Sequence, residues 1–262
     1  MSIIDSHIHC GIQNVDLAFE HIEPLLLGAG IEGACLFAPV EDIYDRYDAR
    51  FQDTPFWMRT RHAANHYVLD LAVRKPRIFP YLFVWNDFAV EELRESFCGI
   101  KWHRHPNEPV YHYDDPGCAR ILREVTDRRL PVVLEESFEN TLRFAFRLAP
   151  EAVIIIPHLG MLNGSYGTLE RAGLWNRNNT YADTALASKA DMRHFLEHYG
   201  PERLLFGSDF PFGDPASELA KVRSLGLSEM DLESVLGGNI LRLIGEVSTD
   251  PSPRIKGESL SC

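Results

Sequence analysis

An eightfold alternation of apolar, β-rich runs with segments of helical spacing constrains the fold most. The apolar runs are SIIDSHIH, GACLFAPV, RIFPYLFVW, FCGIKWH, LPVVLEE, AVIIIPHLG, NTYADT and RLLFGSD. The helical segments that follow them span residues 15–27, 59–74, 89–96, 116–129, 141–148, 169–174, 189–199 and 216–225. Consecutive apolar residues are typical of parallel strands that are covered on both faces. The alternation therefore predicts a (β/α)₈ TIM barrel, with a doubly wound open sheet as the alternative.

The length of the chain agrees with one barrel and a short extension. The chain has 262 residues, and a single barrel takes about 250. We expect residues 1–245 to form the barrel domain, because the apolar periodicity ends there. Residues 246–262 are rich in Ser, Pro and charge, which predicts a flexible tail. The connection from Glu41 to His62 is longer than usual and predicts a long loop after the second strand, as a lid or pocket wall.

Composition narrows the range of partners. The 26 Lys and Arg residues against 38 Asp and Glu residues give a net charge of −12, which argues against binding to nucleic acid or to an anionic membrane surface. No apolar run approaches the roughly 20 residues of a membrane span, and the N-terminus has no basic region followed by an apolar one. The five cysteines are scattered and form no C-x-x-C motif. We therefore expect a cytoplasmic protein with reduced thiols.

Two histidines close the first apolar run. His7 and His9 are two positions apart, so on a strand both leave the same face and can share a metal ion. A solvated strand end that carries two histidines by chance is the alternative. The other predicted strands also end in polar groups: Lys101, His103, Glu135, Glu136, His158, Asp183 and Asp209. Because barrel enzymes place their chemistry at the carboxyl ends of the strands, these residues predict a site there.

Seven motifs point to a family. DSHIHCG, GIKWHRHP, LPVVLEES, IIIPHLG, TYADTA, LLFGSDFPFG and GGNILRLIG together resemble the amidohydrolase superfamily, in particular its amidohydrolase-2 branch of metal-dependent barrel hydrolases and decarboxylases. The resemblance runs from about residue 3 to residue 245. It implies that His7, His9 and Asp209 bind one divalent metal ion. It also implies that His158 polarises the substrate or shuttles protons.

The fifth strand departs from the family pattern. Relatives usually carry P-V-x-x-H, whereas this chain has PVVLEE, with Glu135 at the position of the histidine. A carboxylate can replace imidazole as a ligand, so we predict Glu135 as the fourth ligand. Zinc is the preferred ion, and the added negative charge makes manganese the alternative. Since a shift of one residue reverses the face of a strand, Glu136 stays open as the ligand.

The fourth strand offers two candidate substrate-binding residues, Lys101 and His103. By the resemblance, Lys101 contributes charge or hydrogen bonds near the pocket, with carbamylation and bridging of two metals as the alternative. His103 matches the histidine that follows G-I-K in relatives. His105 precedes a proline and is interpreted as a loop residue.

Two further histidine pairs have the i, i+4 spacing of a helix. They are His62 with His66 and His194 with His198. This spacing can bind zinc, but neither pair contains the glutamate of the H-E-x-x-H motif, so both are interpreted as ordinary helix-face residues. Asn239 is predicted to cap the final helix.

The motifs that are missing leave metal chemistry as the preferred mechanism. The sequence has no G-x-S-x-G elbow, no phosphate loop and no G-x-G-x-x-G after the first strand. We therefore expect a metal-dependent hydrolase of a small organic amide, ester or lactone, with Asp209 as general base and His158 as stabiliser of the oxyanion. A metal-dependent decarboxylase of an aromatic acid and a non-catalytic ligand-binding barrel are the alternatives. The aromatic and arginine-rich segment 41–62 suits an aromatic or anionic substrate, or equally a subunit interface of a homo-oligomer.

Overall fold

The computed structural model describes residues 2–10, 18–94 and 96–245, and these form the predicted barrel. Eight parallel strands are hydrogen-bonded to one another in chain order. Their bounds are β1 Ile4–His9, β2 Gly33–Phe37, β3 Arg77–Phe83, β4 Gly99–His103, β5 Val132–Glu135, β6 Ile154–Ile156, β7 Thr180–Asp183 and β8 Leu204–Leu205. All but one of the residues of β1 to β6 are buried, as parallel strands with both faces covered require.

The segment that follows β8 brings the two ends of the sheet together. Although β8 has only two residues, the backbone N–H of Ser6 donates to the carbonyl of Phe206 (2.8 Å), and that of His9 donates to the carbonyl of Phe210 (2.9 Å). The Asp209 N–H donates to the carbonyl of His7 (2.8 Å). Residues 206–210 therefore lie directly against β1, which closes the barrel next to the H-x-H motif.

Helices occupy most of the connections between the strands. Their bounds are α1 Phe19–Gly28, α2 Pro55–Asp70, α3 Pro116–Asp127, α4 Phe138–Arg143, α5 Tyr166–Arg171, α6 Lys189–Tyr199, α7 Pro215–Arg223, α8 Glu229–Glu233 and α9 Asn239–Leu243. A π-helical turn extends α4 to Leu148, and another joins α8 to α9. No helix in the described part of the chain is long and apolar enough to cross a membrane.

Two expectations about the connections need correction. The helix predicted over 89–96 is only a 3₁₀ turn at Glu92–Arg94. The long loop predicted up to His62 ends sooner, because Pro55 and the Thr54 side chain, which accepts from the Trp57 N–H (3.4 Å), start α2 there. The first helix begins at Phe19; the start predicted at residue 15 and the predicted tail 246–262 lie outside the described residues.

The predicted cap role of Asn239 is also wrong. Ser228 caps the last helical stretch, since its side chain accepts from the Asp231 N–H (3.1 Å). The buried side chain of Asn239 instead donates to the carbonyls of Pro201 (2.7 Å) and Leu204 (2.8 Å). It therefore ties the last helix to β8.

Two hydrophobic clusters support the barrel. The larger one packs the helices against the outside of the sheet. The smaller one comes mainly from the strands and includes Ile4, Phe37, Tyr81, Val133 and Ile155. The Phe37 ring lies 5.1 Å from the ring of His7, edge-on. The smaller cluster therefore provides an apolar floor beneath the polar residues at the carboxyl ends of the strands.

Candidate metal centre

The first strand and the segment after β8 bring three predicted ligands together. Oδ1 of Asp209 lies 3.3 Å from Nε2 of His7 and 3.2 Å from Nε2 of His9. One potential ligand atom from each residue lies within 4.8 Å of the other two. All three residues are buried. Two imidazole nitrogens and a carboxylate oxygen at one point form a suitable donor set for a divalent ion.

Asp183 fixes the orientation of the His7 ring. Its Oδ2 accepts a hydrogen bond from Nδ1 of His7 at 2.8 Å, and both side chains are almost completely buried. This leaves the lone pair on Nε2 of His7, an atom that lies 3.3 Å from Oδ1 of Asp209 and 3.1 Å from Nζ of Lys101. Burial, helped by the nearby Lys101 ammonium, lowers the pKa of His7 to about 4. The ring is therefore neutral near pH 7, as a metal ligand must be.

His158 has an unusual backbone conformation at the end of β6. Its φ of 55° lies in the left-handed region, which for such a residue occurs mainly where the surroundings enforce it. The His158 N–H donates to Oδ1 of Asp183 (2.8 Å), and Nδ1 donates to the Ala185 carbonyl (3.0 Å). Nε2 then faces Oε2 of Glu135 (3.7 Å) and Oδ2 of Asp209 (3.8 Å).

The carboxylates around His158 determine its charge. Burial by itself lowers its pKa, but the nearby carboxylates of Glu135, Asp183 and Asp209 outweigh burial and raise the pKa of His158 to about 9. Burial likewise opposes ionisation of Asp209, yet the surrounding imidazoles hold its pKa well below the usual range. His158 and Asp209 therefore form a pair of a charged imidazolium and an ionised carboxylate.

The last residue of β5, Glu135, and the residue that follows it, Glu136, point to different surroundings. The Glu135 carboxylate lies within the site, 3.3 Å from Nζ of Lys101 through Oε2 and 3.3 Å from Nε2 of His103 through Oε1. The Glu136 carboxylate instead accepts from Arg104 (3.2 Å) and from the Tyr113 hydroxyl (2.8 Å). Of the two candidates, only Glu135 faces the other predicted site residues.

Lys101 lies below the site rather than on its surface. The side chain has no exposed area, and Nζ contacts Nε2 of His7 (3.1 Å) and Oε2 of Glu135 (3.3 Å). It also lies 4.9 Å from the centre of the Phe37 ring. An ammonium in this place neutralises part of the negative charge of the carboxylates and stabilises ionised Glu135, whose pKa stays well below its usual value despite burial.

Sequence reasoning missed His105 as a member of the site, because it interpreted this residue as part of a loop. Nε2 of His105 makes a very short hydrogen bond to Oε1 of Glu135, and Nδ1 contacts Nη2 of Arg46 (2.9 Å). The spacing of His103 and His105 repeats that of His7 and His9, a signal that could have found His105. Arg46 belongs to the segment 41–62 that was predicted as a lid or pocket wall, and it lines the cavity together with Glu41. Nε of Arg46 donates to Oε1 of Glu108 (2.7 Å).

A cavity of about 140 Å³ opens above these groups. Its lining includes His9, His103, Glu135, His158 and Asp209, together with Arg46, His105 and a group of apolar side chains: Val40, Leu162, Leu186 and Phe212. His7 and Lys101 lie beneath this lining and are fully buried. The site can therefore admit a small molecule to the carboxylates and imidazoles.

One atom supports the presence of a cation at this point. Oδ1 of Asp209 is buried and has no hydrogen-bond donor among the described residues, although it lies between two imidazole nitrogens. A buried carboxylate oxygen without a donor is costly unless a cation compensates it. The residues His7, His9 and Asp209 thus fit a divalent metal ion.

Comparison with known families agrees with this geometry. The family model Amidohydro_2, described as amidohydrolase, matches residues 4–245. The chain therefore belongs to this amidohydrolase family, and its barrel is of the enzymatic amidohydrolase-superfamily type. A search of curated proteins finds no match.

Several solved structures share the fold. A 2,6-dihydroxybenzoate decarboxylase from Rhizobium has a TM-score of 0.70 at 16% identity over 93% of this chain and 98% of its own. A dihydroxybenzoic acid decarboxylase from Polaromonas, solved with bound manganese and the inhibitor 2-nitroresorcinol, has a TM-score of 0.70 at 16% identity, over 93% and 96% of the two chains. A Pseudomonas putida protein assigned as a 2-pyrone-4,6-dicarboxylic acid hydrolase has a TM-score of 0.65 at 16% identity, over 94% and 98%. At this level of identity the similarity concerns the fold alone, and proteins with this fold include decarboxylases and the protein assigned as a hydrolase.

Proposed function

We propose that this chain is a metal-dependent hydrolase of a small organic amide, ester or lactone. The observation that supports it best is the buried Oδ1 of Asp209, which lies between the Nε2 atoms of His7 and His9 and has no hydrogen-bond donor in the part of the chain that the structure describes. These three residues would hold the ion. Glu135, which shares a group of close ligand atoms with His7 and His158, would supply the fourth ligand. Two imidazoles favour zinc, and the two carboxylates make manganese the alternative.

A divalent ion held there would lower the pKa of its bound water, towards about 7 for zinc, and polarise a substrate carbonyl. Asp209, kept ionised by its neighbours, accepts the proton of the attacking water. His158, charged and facing Asp209 at 3.8 Å, donates a hydrogen bond to the oxygen on which negative charge develops. Its Nδ1–H is committed to the Ala185 carbonyl, so only Nε2–H is directed at the substrate.

The fourth strand supplies positioning in this proposal. His103 lines the cavity and contacts the substrate. Lys101 has no exposed surface, so its role is to hold Glu135 and to balance its charge rather than to contact the substrate. Arg46 and His105 support Glu135 from the other side.

The cationic side chains of the site are all engaged. Among the described cationic groups at the site, each already faces a carboxylate: Arg46 with Glu108, Lys101 with Glu135, and His158 with both Glu135 and Asp209. A substrate carboxylate would therefore have to bind the proposed ion or displace one of these partners, whereas the carbonyl of a neutral amide, ester or lactone needs only the ion and the Nε2–H of His158.

Decarboxylation of an aromatic acid is the second candidate. It is supported by the charged His158, which could deliver a proton to carbon, and by the fold that the chain shares with aromatic-acid decarboxylases. In that reaction the proton of His158 would be transferred, whereas in hydrolysis it stays hydrogen-bonded to the developing oxyanion.

The two reactions are separated by their products. The purified full chain, loaded with zinc or manganese, is assayed against lactones, esters, amides and aromatic acids for acid release and for CO₂. We expect acid release without CO₂, which Asp209→Asn lowers by roughly 10²–10⁴ and Asp48→Asn, a change at an exposed loop aspartate, preserves. CO₂ from an aromatic acid would assign the chain to the lyases. Failure of the purified chain to bind stoichiometric metal would favour the non-catalytic alternative.

A further inference from the structure

A second cluster of metal-ligating side chains lies on the outside of the barrel. His62 and His66 lie one turn apart on α2, and their ring centres are 4.1 Å apart. Glu92, from the 3₁₀ turn after β3, places Oε1 3.0 Å from Nδ1 of His62. We call His62, His66 and Glu92 the outer cluster.

The outer cluster has the geometry of an almost formed three-ligand site. One potential ligand atom of each residue lies within 4.8 Å of the other two. Ligand bonds of about 2.0–2.2 Å in a tetrahedral zinc site set the ligand atoms roughly 3.4 Å apart. Small rotations of the side chains would bring the ligand atoms from within 4.8 Å of one another to roughly that separation. The i, i+4 spacing already aligns the two rings on one face of α2.

Glu92 gives an independent indication of a missing partner. Its Oε2 is buried and has no hydrogen-bond partner among the described residues, while Oε1 contacts His62. A buried carboxylate oxygen without a donor carries a desolvation cost that a bound cation would remove.

We propose that the outer cluster binds a divalent transition-metal ion of the zinc type. A set of two imidazoles and one carboxylate binds such ions in preference to magnesium or calcium, which favour oxygen ligands. The side chain of His62 is 56% exposed, so solvent reaches the remaining coordination position and the ion exchanges readily. The ligands are distinct from those of the barrel site, so this proposal is independent of the proposed hydrolase activity.

The ion would join two segments that form the outer wall of the barrel mouth. Arg61, next to His62, already links them: it is buried and donates to the Asp87 carboxylate (2.9 Å) and to the Ile43 carbonyl (2.8 Å). A metal bound by α2 and by Glu92 would add a second link between α2 and the connection from β3 to β4. We therefore expect the ion to stabilise the folded chain by mass action.

The chain contains a natural control with the same sequence spacing. His194 and His198 on α6 also stack, with ring centres 4.0 Å apart. Nδ1 of His194 contacts the Tyr166 hydroxyl (2.7 Å), and Nδ1 of His198 contacts the His194 carbonyl (2.9 Å). Among the described residues, this pair belongs to no group of three close ligand atoms. The i, i+4 spacing and a neighbouring carboxylate are therefore shared, because Oε1 of Glu170 lies 3.5 Å from Nδ1 of His194. Of these two pairs, only His62 and His66 form a group of three close ligand atoms with the carboxylate in the described part of the chain.

Equilibrium dialysis of the full chain against zinc, with metal per chain measured by mass spectrometry, tests the proposal. We expect His62→Ala to bind one equivalent less than wild type, and Glu92→Gln to lower the affinity of that equivalent by about 10–100-fold or more. His198→Ala is the matched control and should bind as wild type does. Because His62 is exposed, its replacement should leave the fold intact.

A stability measurement provides a second readout. In a His9→Ala background, which disables the barrel site, zinc should still raise the melting temperature, and adding His62→Ala should abolish that increase. Equal zinc stoichiometry and affinity in wild type and His62→Ala would overturn the proposal. Such a result would mean that His62 and Glu92 form only a hydrogen-bonded pair, and it would leave the barrel site unaffected.

Discussion

Oδ1 of Asp209 lies 3.2 Å from Nε2 of His9, although the two residues come from opposite ends of the barrel sequence. The backbone conformation holds the two side chains together, because Asp209 has a φ of 56° and its N–H donates to the His7 carbonyl at 2.8 Å. A left-handed conformation at a residue other than glycine costs about 1–3 kcal/mol, which the surrounding structure must offset. The closure of the barrel thus positions the candidate metal ligands directly.

Replacing His9 tests the candidate metal centre. We expect His9→Ala to lose one equivalent of bound metal or to bind it about 10–100-fold more weakly. The fold should persist, because His9 lies at the end of β1 and lines the cavity, so a smaller side chain there enlarges the cavity and leaves the strands packed. Metal analysis and circular dichroism measure both outcomes. His21→Ala, at an exposed position on α1, is the control, and full metal occupancy in His9→Ala would remove His9 from the ligand set.

Replacing the Asp209 carboxylate separates catalysis from metal retention. Asn adopts the left-handed conformation about as readily as Asp and keeps one oxygen, so Asp209→Asn should preserve the backbone and much of the metal. Turnover should fall by roughly 10²–10⁴, the usual contribution of a general base. The comparison requires kcat at saturating metal together with metal content. Unchanged kcat would mean that another group accepts the proton.

The barrel could be predicted from the sequence because its signal is repeated and local. Most of the buried strands contain consecutive apolar residues, and the ligand candidates His7, His9, Glu135 and Asp209 all lie at or just beyond the ends of the predicted runs. The resemblance to the family placed Glu135 at the position of the expected ligand on the fifth strand. Glu136 could not be excluded from parity alone, since its partner Arg104 becomes apparent only in three dimensions.

Residues held by loops could not be predicted in the same way. Arg46 reaches His105 and Glu108 across the barrel mouth, and no periodicity connects these positions in the sequence. Glu92 meets His62 because the connection from β3 to β4 packs beside α2. The i, i+4 spacing of His62 and His66 was visible, but the third ligand was not. Contacts of this kind depend on the path of a loop, which hydrophobic patterning does not determine.

Asn239 offers a test of the packing between the last helix and β8. Its Nδ2 donates to the carbonyls of Pro201 and Leu204, and its Oδ1 accepts from Arg242 at 2.7 Å. Asn239→Ala leaves these carbonyls without that donor, so the free energy of unfolding should fall by about 1–3 kcal/mol. Urea denaturation of the full chain measures it. Ser228→Ala, which removes only the helix cap, should cost about 1 kcal/mol, and a loss for Asn239→Ala no larger than that would contradict the proposed role.

The two glutamates at the end of β5, Glu135 and Glu136, provide the sharpest pair of variants, because they are adjacent, buried and engaged by different partners. Glu135→Gln removes a negative charge beside Lys101 and His103 and should reduce metal affinity by about 10–100-fold or more. Glu135→His should preserve binding and shift the preference towards zinc, since a neutral imidazole is a softer ligand.

Glu136→Gln is the matched control for the loss of metal affinity that we expect of Glu135→Gln. It weakens the contacts to Arg104 and the Tyr113 hydroxyl, so we expect unfolding to become easier by about 1–3 kcal/mol while metal affinity stays within twofold or so of wild type. Metal titration and urea denaturation of both variants distinguish the two effects. If Glu136→Gln lost the metal and Glu135→Gln kept it, the ligand would be Glu136, and the side chains at the end of β5 would have to exchange places when the ion binds.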